Sequence, residues 1–406
     1  MELRLQEYES VRIPEISKVF SVLVAVLPIL ASYMSGIPGF SVADICLVVF
    51  VVLSMLKKDS RNQYRVSVVP LWMGMILIIL LALIDCALGF PESMSDVLIR
   101  TIRYIFYMIV LFTAGKKIID VPVLIRSVKI VSFLGSLFIM LQAVMYYAFG
   151  IVVKGFLPFL NLYTKQYQNT NYGDMYETLN IYRPTSFFLE PAHYARYCII
   201  GIILYLFVDK VIDNKAVFRV VICAIGILIS TSSQGYFLLA IVGSMFWFTR
   251  IKHMKSRIVK QFMYLVACVY PIMILIVLQL PVVQSTLDRS FSGSITDGSS
   301  AMGARLGGFL SYFNLPLINK LIGTGFGNVP EGVWLSSAAY WLYGSGFFVF
   351  AIYLYFLLRS FFRVDLAGKY ILFVVIFLFF TDDSFYSYMI VLYFSLVLFH
   401  PRRETS

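Results

Sequence analysis

The stretch Tyr182-Arg-Pro-Thr-Ser-Phe-Phe-Leu-Glu-Pro-Ala-His-Tyr-Ala195 leaves a segment rich in Tyr, Asn and Thr and enters an apolar run that reaches about residue 208. A run of about 20 apolar residues crosses a bilayer as a helix, because only an intrasegment hydrogen-bond ladder satisfies the backbone in hydrocarbon. The stretch therefore predicts a helix that starts at a membrane surface. Pro191 suits its first helical position and Glu190 its N-cap. The free N–H groups at that start favour anions. Arg183 and Arg196 flank the start, and His193 and Arg196, three apart, share a helical face. Two guanidiniums at a helix N-terminus make a phosphate or pyrophosphate cradle. His193 or Glu190 supplies a general base near neutral pH. Capping alone would also account for Glu190, and interfacial packing for His193.

The rest of the chain repeats the apolar theme. Of 406 residues, 60% are hydrophobic and 14% charged, and the mean hydropathy is +0.84. A soluble domain carries about 25% charged residues, so the expected class is an all-α polytopic integral membrane protein. About twelve transmembrane helices are expected, at roughly 18–35, 40–56, 67–90, 98–115, 127–150, 192–208, 216–231, 235–249, 261–280, 335–358, 370–381 and 384–399. Residues 1–406 read as a single membrane domain with two large outer loops, 151–191 and 281–334. No early apolar run follows Glu2, Arg4, Glu7 and Glu9, so no cleavable signal peptide is expected.

The net charge of +11 raises the question of nucleic acid, and the placement of the charges answers it. With the N-terminus in the cytoplasm, alternate connections collect most of the basic residues. Lys57, Lys58, Arg61 and Arg65 are one such group, and Arg250, Lys252, Lys255, Arg257 and Lys260 another. This is the positive-inside pattern. It accounts for the basic excess without a nucleic-acid partner and puts both termini in the cytoplasm. His253 and His400 then fall on the inner side, which leaves His193 as the outer histidine. The five cysteines all lie in apolar runs and read as small hydrophobes, with neither disulfide nor metal spacing.

The second outer loop contributes Arg305 at the head of an amphipathic segment, Arg289 beside Asp288, and Gly323-Thr-Gly-Phe-Gly327. That glycine run follows no strand, so a nucleotide-binding loop fails its context and a tight turn is expected. Ser230-Thr-Ser-Ser-Gln-Gly235 reads as a tight outer turn whose small polar residues can line a cavity. Asp44, Asp85, Arg100, Arg103, Asp382 and Asp383 lie near outer helix ends. A salt bridge from Asp85 to Arg100 or Arg103 is the expected use of those three.

From Arg183 to Ala195 the chain resembles the Wzy-type O-antigen and capsule polysaccharide polymerases, whose first large outer loop carries an Arg-Pro-x-Ser-x-Phe-x-Glu-Pro-x-His-like stretch. Ser230-Thr-Ser232-Ser-Gln-Gly235 is similar to the family's Ser-x-Ser-x-x-Gly. Arg305 with Gly323 to Gly327 is similar to its second-loop segment. The likeness covers most of the chain in topology and three short segments in sequence. It implies an inverting glycosyltransferase that joins undecaprenyl pyrophosphate-linked oligosaccharide units on the outer face of a bacterial inner membrane. The implied catalytic residues are Arg183, Glu190, His193 and Arg305. Ser186, Tyr194, Arg196, Arg289 and Ser232 are the implied substrate-binding residues. No cofactor or metal is expected. The expected partners are the lipid-linked oligosaccharide, the bilayer and a chain-length-regulating co-polymerase. Related lipopolysaccharide ligases keep their key His in the second large loop, and residues 281–334 contain none. Polymerase is therefore favoured over ligase, with a lipid-linked oligosaccharide flippase or transporter as the alternative from another class.

Overall fold

The computed structural model describes residues 15–37, 40–57, 60–90, 93–157, 159–162, 182–208, 212–249, 301–329, 335–382 and 387–401, with scattered positions between 257 and 284. The described chain is mostly helical. Among the described residues four helices are long and apolar enough to cross a membrane: Val69–Leu88, Met94–Ile118, Val121–Phe149 and Ser337–Arg363. Shorter apolar helices cover Val42–Met55, Pro191–Phe207, Leu366–Thr381 and Met389–Leu398. The expected span at 261–280 lies almost wholly outside the described residues.

The chain divides into two compact units, each discontinuous in sequence. The first is Met1–Cys46 with Pro122–Asp288, and the second is Leu47–Val121 with Arg289–Ser406. The boundary runs through α2 (Val42–Met55).

The first unit holds α1 (Glu15–Leu30), α5 (Val121–Phe149), α6 (Pro191–Phe207), α7 (Asn214–Ile229) and α8 (Ser233–Thr249). Its axis is α6, buried on nearly every face. Close approach to α6 depends on small residues, as expected where helices pack by backbone proximity. A Cβ on Gly226 of α7 would stand 2.3 Å from the Tyr194 hydroxyl. One on Gly235 of α8 would stand 2.7 Å from Ala195 Cβ, and one on Gly201 of α6 would stand 2.1 Å from Ser132 Oγ on α5. The Tyr194 hydroxyl is 2.7 Å from Ser136 Oγ of α5, and the Tyr197 hydroxyl donates to Ala25 O of α1 at 2.7 Å. Helix α5 ends where Gly150 takes a left-handed φ of 67° and its N–H meets Tyr146 O, a common glycine stop.

The second unit holds α3 (Val69–Leu88), α4 (Met94–Val110, prolonged to Ile118), α9 (Ala301–Phe313), α10 (Leu317–Ile322), α11 (Ser337–Arg363), α12 (Leu366–Thr381) and α13 (Met389–Leu398). An antiparallel pair, β1 (Asn62–Tyr64) with β2 (Phe399–Pro401), ties a loop to the C-terminal segment in the register Gln63 to His400. The basic loop there is held by acids: Arg61 pairs with Asp120, and Arg65 Nη1 lies 2.7 Å from Asp365. The core is aromatic, with Tyr104 and Phe326 both within 5.4 Å of Trp341 by ring centroid.

Helix α11 is broken. Gly346 has φ 74° and ψ 177° inside an otherwise helical run. The carbonyls freed by the break are used: Thr324 N–H donates to Tyr343 O at 3.0 Å and Gly325 N–H to Gly344 O at 3.1 Å. Irregular backbone at membrane depth needs such partners. The turn expected at 323–327 is thus stitched to a helix break, and Gly323, Gly325 and Gly327 all take positive φ. A side chain at Gly323 would stand 2.4 Å from Gly344 O. Asp85 is fully buried beside the Gly325 amide. Among the described residues it has no ion pair, so the expected bridge to Arg100 or Arg103 is not formed; the glycine turn occupies its flank instead.

Candidate active site

The stretch 182–190 is not a free loop. Three contacts lay it along α5. Tyr182 stacks on Tyr146 with centroids 4.3 Å apart and 15° between planes. Phe187 stacks on Phe138 at 4.6 Å and 16°. Between them Ser186 is fastened at both ends: its N–H donates to Gln142 Oε1 and its hydroxyl to Gly135 O, each at 2.9 Å. Gln142 Nε2 then donates to Val153 O at 2.8 Å, so one amide side chain clamps both edges of the first outer loop. The chain passes Gly155 so closely that a Cβ there would lie 1.6 Å from Ser186 O.

This seating aims Arg183 sideways. Its Nε donates to Thr231 Oγ1 at 3.2 Å, across to the turn between α7 and α8. Two non-glycine residues among those described have positive φ, Ser186 at 57° and Thr231 at 52°. A β-branched residue in that region is a genuine outlier, and such strain, about 1–3 kcal/mol, persists where surrounding contacts demand it. Both outliers belong to the assembly that holds Arg183.

Glu190 takes the N-cap position of α6 with extended φ and ψ of −136° and 152°, but its side chain makes no cap hydrogen bond. The capping expectation holds for the backbone and fails for the carboxylate. Instead Glu190 Oε2 stands 3.9 Å from His193 Nε2, one helical turn on. Both side chains are part-exposed, at 43% and 22%. A carboxylate and an imidazole thus meet at the start of α6, and the Arg183 guanidinium, held at the turn between α7 and α8, belongs to the same unit.

The remaining expected residues separate. Tyr194 is buried, with its hydroxyl against Ser136 of α5. Arg196 is 3% exposed, inside the helical packing and away from the exposed rim. Ser186 is fully buried and acts as a fastener of the loop. Ser232 accepts the Gly235 N–H at 3.2 Å, shaping the turn that presents Thr231. Arg305 lies in α9, in the second unit, and its side chain is outside the described set; Arg289 lies outside the described residues altogether. Among the described residues no group of three His, Cys, Asp or Glu is assembled.

Sequence reading passed over Gln142, Thr231 and Lys154. Gln142 was detectable only as a polar residue inside an apolar run. Thr231 stood within the quoted Ser-Thr-Ser-Ser-Gln-Gly turn, without a sign of which hydroxyl faces the arginine. Lys154 lines a small pocket with Arg183, Gln142, Tyr182 and Thr185. No family model matches the chain, and no curated protein matches it.

Proposed function

We propose that this chain is a Wzy-type polysaccharide polymerase, an inverting glycosyltransferase of about twelve spans with its site on the outer face of a bacterial inner membrane. The observation that carries the reading is the Glu190–His193 pair at the start of α6, in the same unit as Arg183, whose guanidinium Thr231 fixes. A guanidinium and helix N–H groups suit a pyrophosphate leaving group without metal. A carboxylate paired with an imidazole suits removal of a sugar hydroxyl proton. Nucleotide sugars are not expected outside the cell, so the donor arrives on a lipid carrier.

In this scheme the acceptor hydroxyl oxygen attacks the anomeric carbon of the donor sugar from the face opposite the leaving group. The bond from that carbon to the pyrophosphate oxygen breaks, and its electron pair leaves on undecaprenyl pyrophosphate. The hydroxyl proton passes to Glu190 or His193. Arg183 stabilises the charge that develops on one pyrophosphate, and Arg305 is assigned the same role toward the second lipid. The growing chain is thereby transferred to the new repeat unit, and a co-polymerase sets its length.

Alanine at Arg183 or at Arg305 tests the assignment. Loss of polymer at wild-type protein level is expected for each, and full-length polymer in both variants would refute it. The break of α11 at Gly346 favours a second reading, since discontinuous helices frame transporter sites. If the chain is a flippase, its deletion traps lipid-linked single units on the inner face, which the same polysaccharide analysis distinguishes.

A further inference from the structure

Helix α3, long and apolar enough to cross a membrane, carries a single charged side chain type, the carboxylate of Asp85, and it is fully buried. Neither of its oxygens completes a hydrogen bond or an ion pair among the described residues. The Gly325 N–H stands beside it, but that N–H is donated to Gly344 O at 3.1 Å. The titratable groups that neighbouring elements bring to this end are Asp96, Arg100 and Arg103 of α4, Tyr340 and Tyr343 of α11 and Lys320 of α10. Arg100 is turned to the Tyr340 hydroxyl, and Arg103 Nε donates to the Tyr107 hydroxyl at 3.1 Å. The turn Gly323-Thr-Gly-Phe-Gly327 offers no cation and lies backbone against backbone on the break in α11: a Cβ on Gly344 would stand 3.1 Å from Gly325 O. An ionised carboxylate without a partner is disfavoured away from water, and an ionisable side chain at membrane depth marks a functional site. A positive partner therefore has to come from outside the protein. A metal ion needs several free oxygens around it, whereas Tyr343 O already accepts from both the N–H and the hydroxyl of Thr324, and Gly344 O from Gly325. A proton needs none of these carbonyls.

We propose that Asp85 is a proton-binding site whose proton latches the 323–327 turn to the break in α11. With the acid neutral, the turn is closed by three hydrogen bonds: Thr324 N–H and Oγ1 to Tyr343 O at 3.0 and 3.1 Å, and Gly325 N–H to Gly344 O at 3.1 Å. Loss of the proton leaves a charge that must be hydrated, so whatever covers Asp85 has to part. Of its neighbours, α3 and α11 are long helices, while the turn is a short piece whose three glycines take positive φ. The turn is the part that yields. The proton passes to the water that enters, and Gly89, where α3 ends, is four positions from Asp85. Because α9 and α10 run directly into the turn, the latch governs how the 301–327 segment is seated. The inference does not depend on the polymerase reading: it concerns the second unit alone and is tested without polymer formation.

The test uses the purified full-length protein in nanodiscs, with and without carbon-13 in its aspartate carboxyls. Infrared spectra at neutral pH are expected to show the carbonyl stretch of a protonated carboxylic acid that moves on labelling and is missing from Asp85→Asn. Raising the pH is expected to remove the band. Hydrogen exchange at residues 323–327, corrected for its intrinsic pH dependence, reads the latch, since exchange reports local opening. Protection there is expected to fall about tenfold in the wild type as the band is lost. Asp85→Asn mimics the neutral acid and is expected to stay protected throughout. Should Asp85→Asn fail to accumulate, Asp85→Glu makes the same assignment, because its band no longer moves on aspartate labelling. Absence of the acid band from the wild type at neutral pH would overturn the proton site. So would a band abolished at fixed pH by sodium or potassium chloride, which would make the partner a metal ion. Equal protection of the turn in wild type and Asp85→Asn at every pH would overturn the latch.

Discussion

Thr231 holds a left-handed backbone that its β-branched side chain disfavours, and its hydroxyl receives the Arg183 N–H. The cost and the use sit on one residue. Thr231→Gly removes both, so thermal stability is expected to hold or rise by about 1 kcal/mol while polymer formation falls. Thr231→Asn keeps an acceptor and tolerates the conformation, so it should retain more activity than the glycine variant. A glycine variant with full activity would show that the Arg183 contact is incidental. Glu190 offers the complementary test. Its carboxylate does not cap α6, so Glu190→Gln is expected to leave membrane abundance near wild type while specific activity drops at least tenfold. Reduced abundance with intact specific activity would restore the capping role. At this scale the sequence was partly legible. Arg183, Glu190 and His193 stand out as rare polar types where a loop meets an apolar run. Tyr194 and Arg196 share their helix start but turn into the packing, and spacing alone does not reveal which way a helix faces when its whole circumference is apolar.

The described ends of the 151–191 loop are fitted to one another, because Gly155 lets the chain lie against Ser186. Gly155→Ala would force the two backbones apart. Overpacking costs about 1–3 kcal/mol where neighbours yield, and backbone yields less readily than a side chain. The variant is therefore expected to lose polymer formation together with protease resistance at residues 182–190; normal resistance there would mean that this stretch is seated by other contacts. Helices elsewhere were legible from apolar run length. The run expected at 192–208 appears as Pro191–Phe207 and that at 127–150 within Val121–Phe149. The break in α11 was not legible. Gly344-Ser-Gly346 lies inside a continuous apolar run, and the carbonyls it frees are satisfied by residues about twenty positions earlier, a pairing that local pattern does not contain.

At the scale of the molecule, the basic excess is put to structural use on at least one face. Arg61 and Arg65 are matched by Asp120 and Asp365 within the second unit, and Asp120 is fully buried. Removing the cation beside a buried carboxylate costs about 3–5 kcal/mol, so Arg61→Ala is expected to lower protein abundance sharply, as quantitative immunoblotting of membranes would measure. Wild-type abundance would mean that water reaches Asp120. Such loss of protein differs in kind from the effect expected of Arg183→Ala, in which abundance is retained and polymer is lost. The most direct measurement is a surface-polysaccharide gel of a deletion strain of a lipopolysaccharide-bearing host, complemented with wild type or with Arg183→Ala. Core plus a single repeat unit in the deletion strain, a ladder restored by wild type and no ladder with Arg183→Ala at equal protein level, is the result expected of a polymerase. An unchanged ladder in the deletion strain would contradict it.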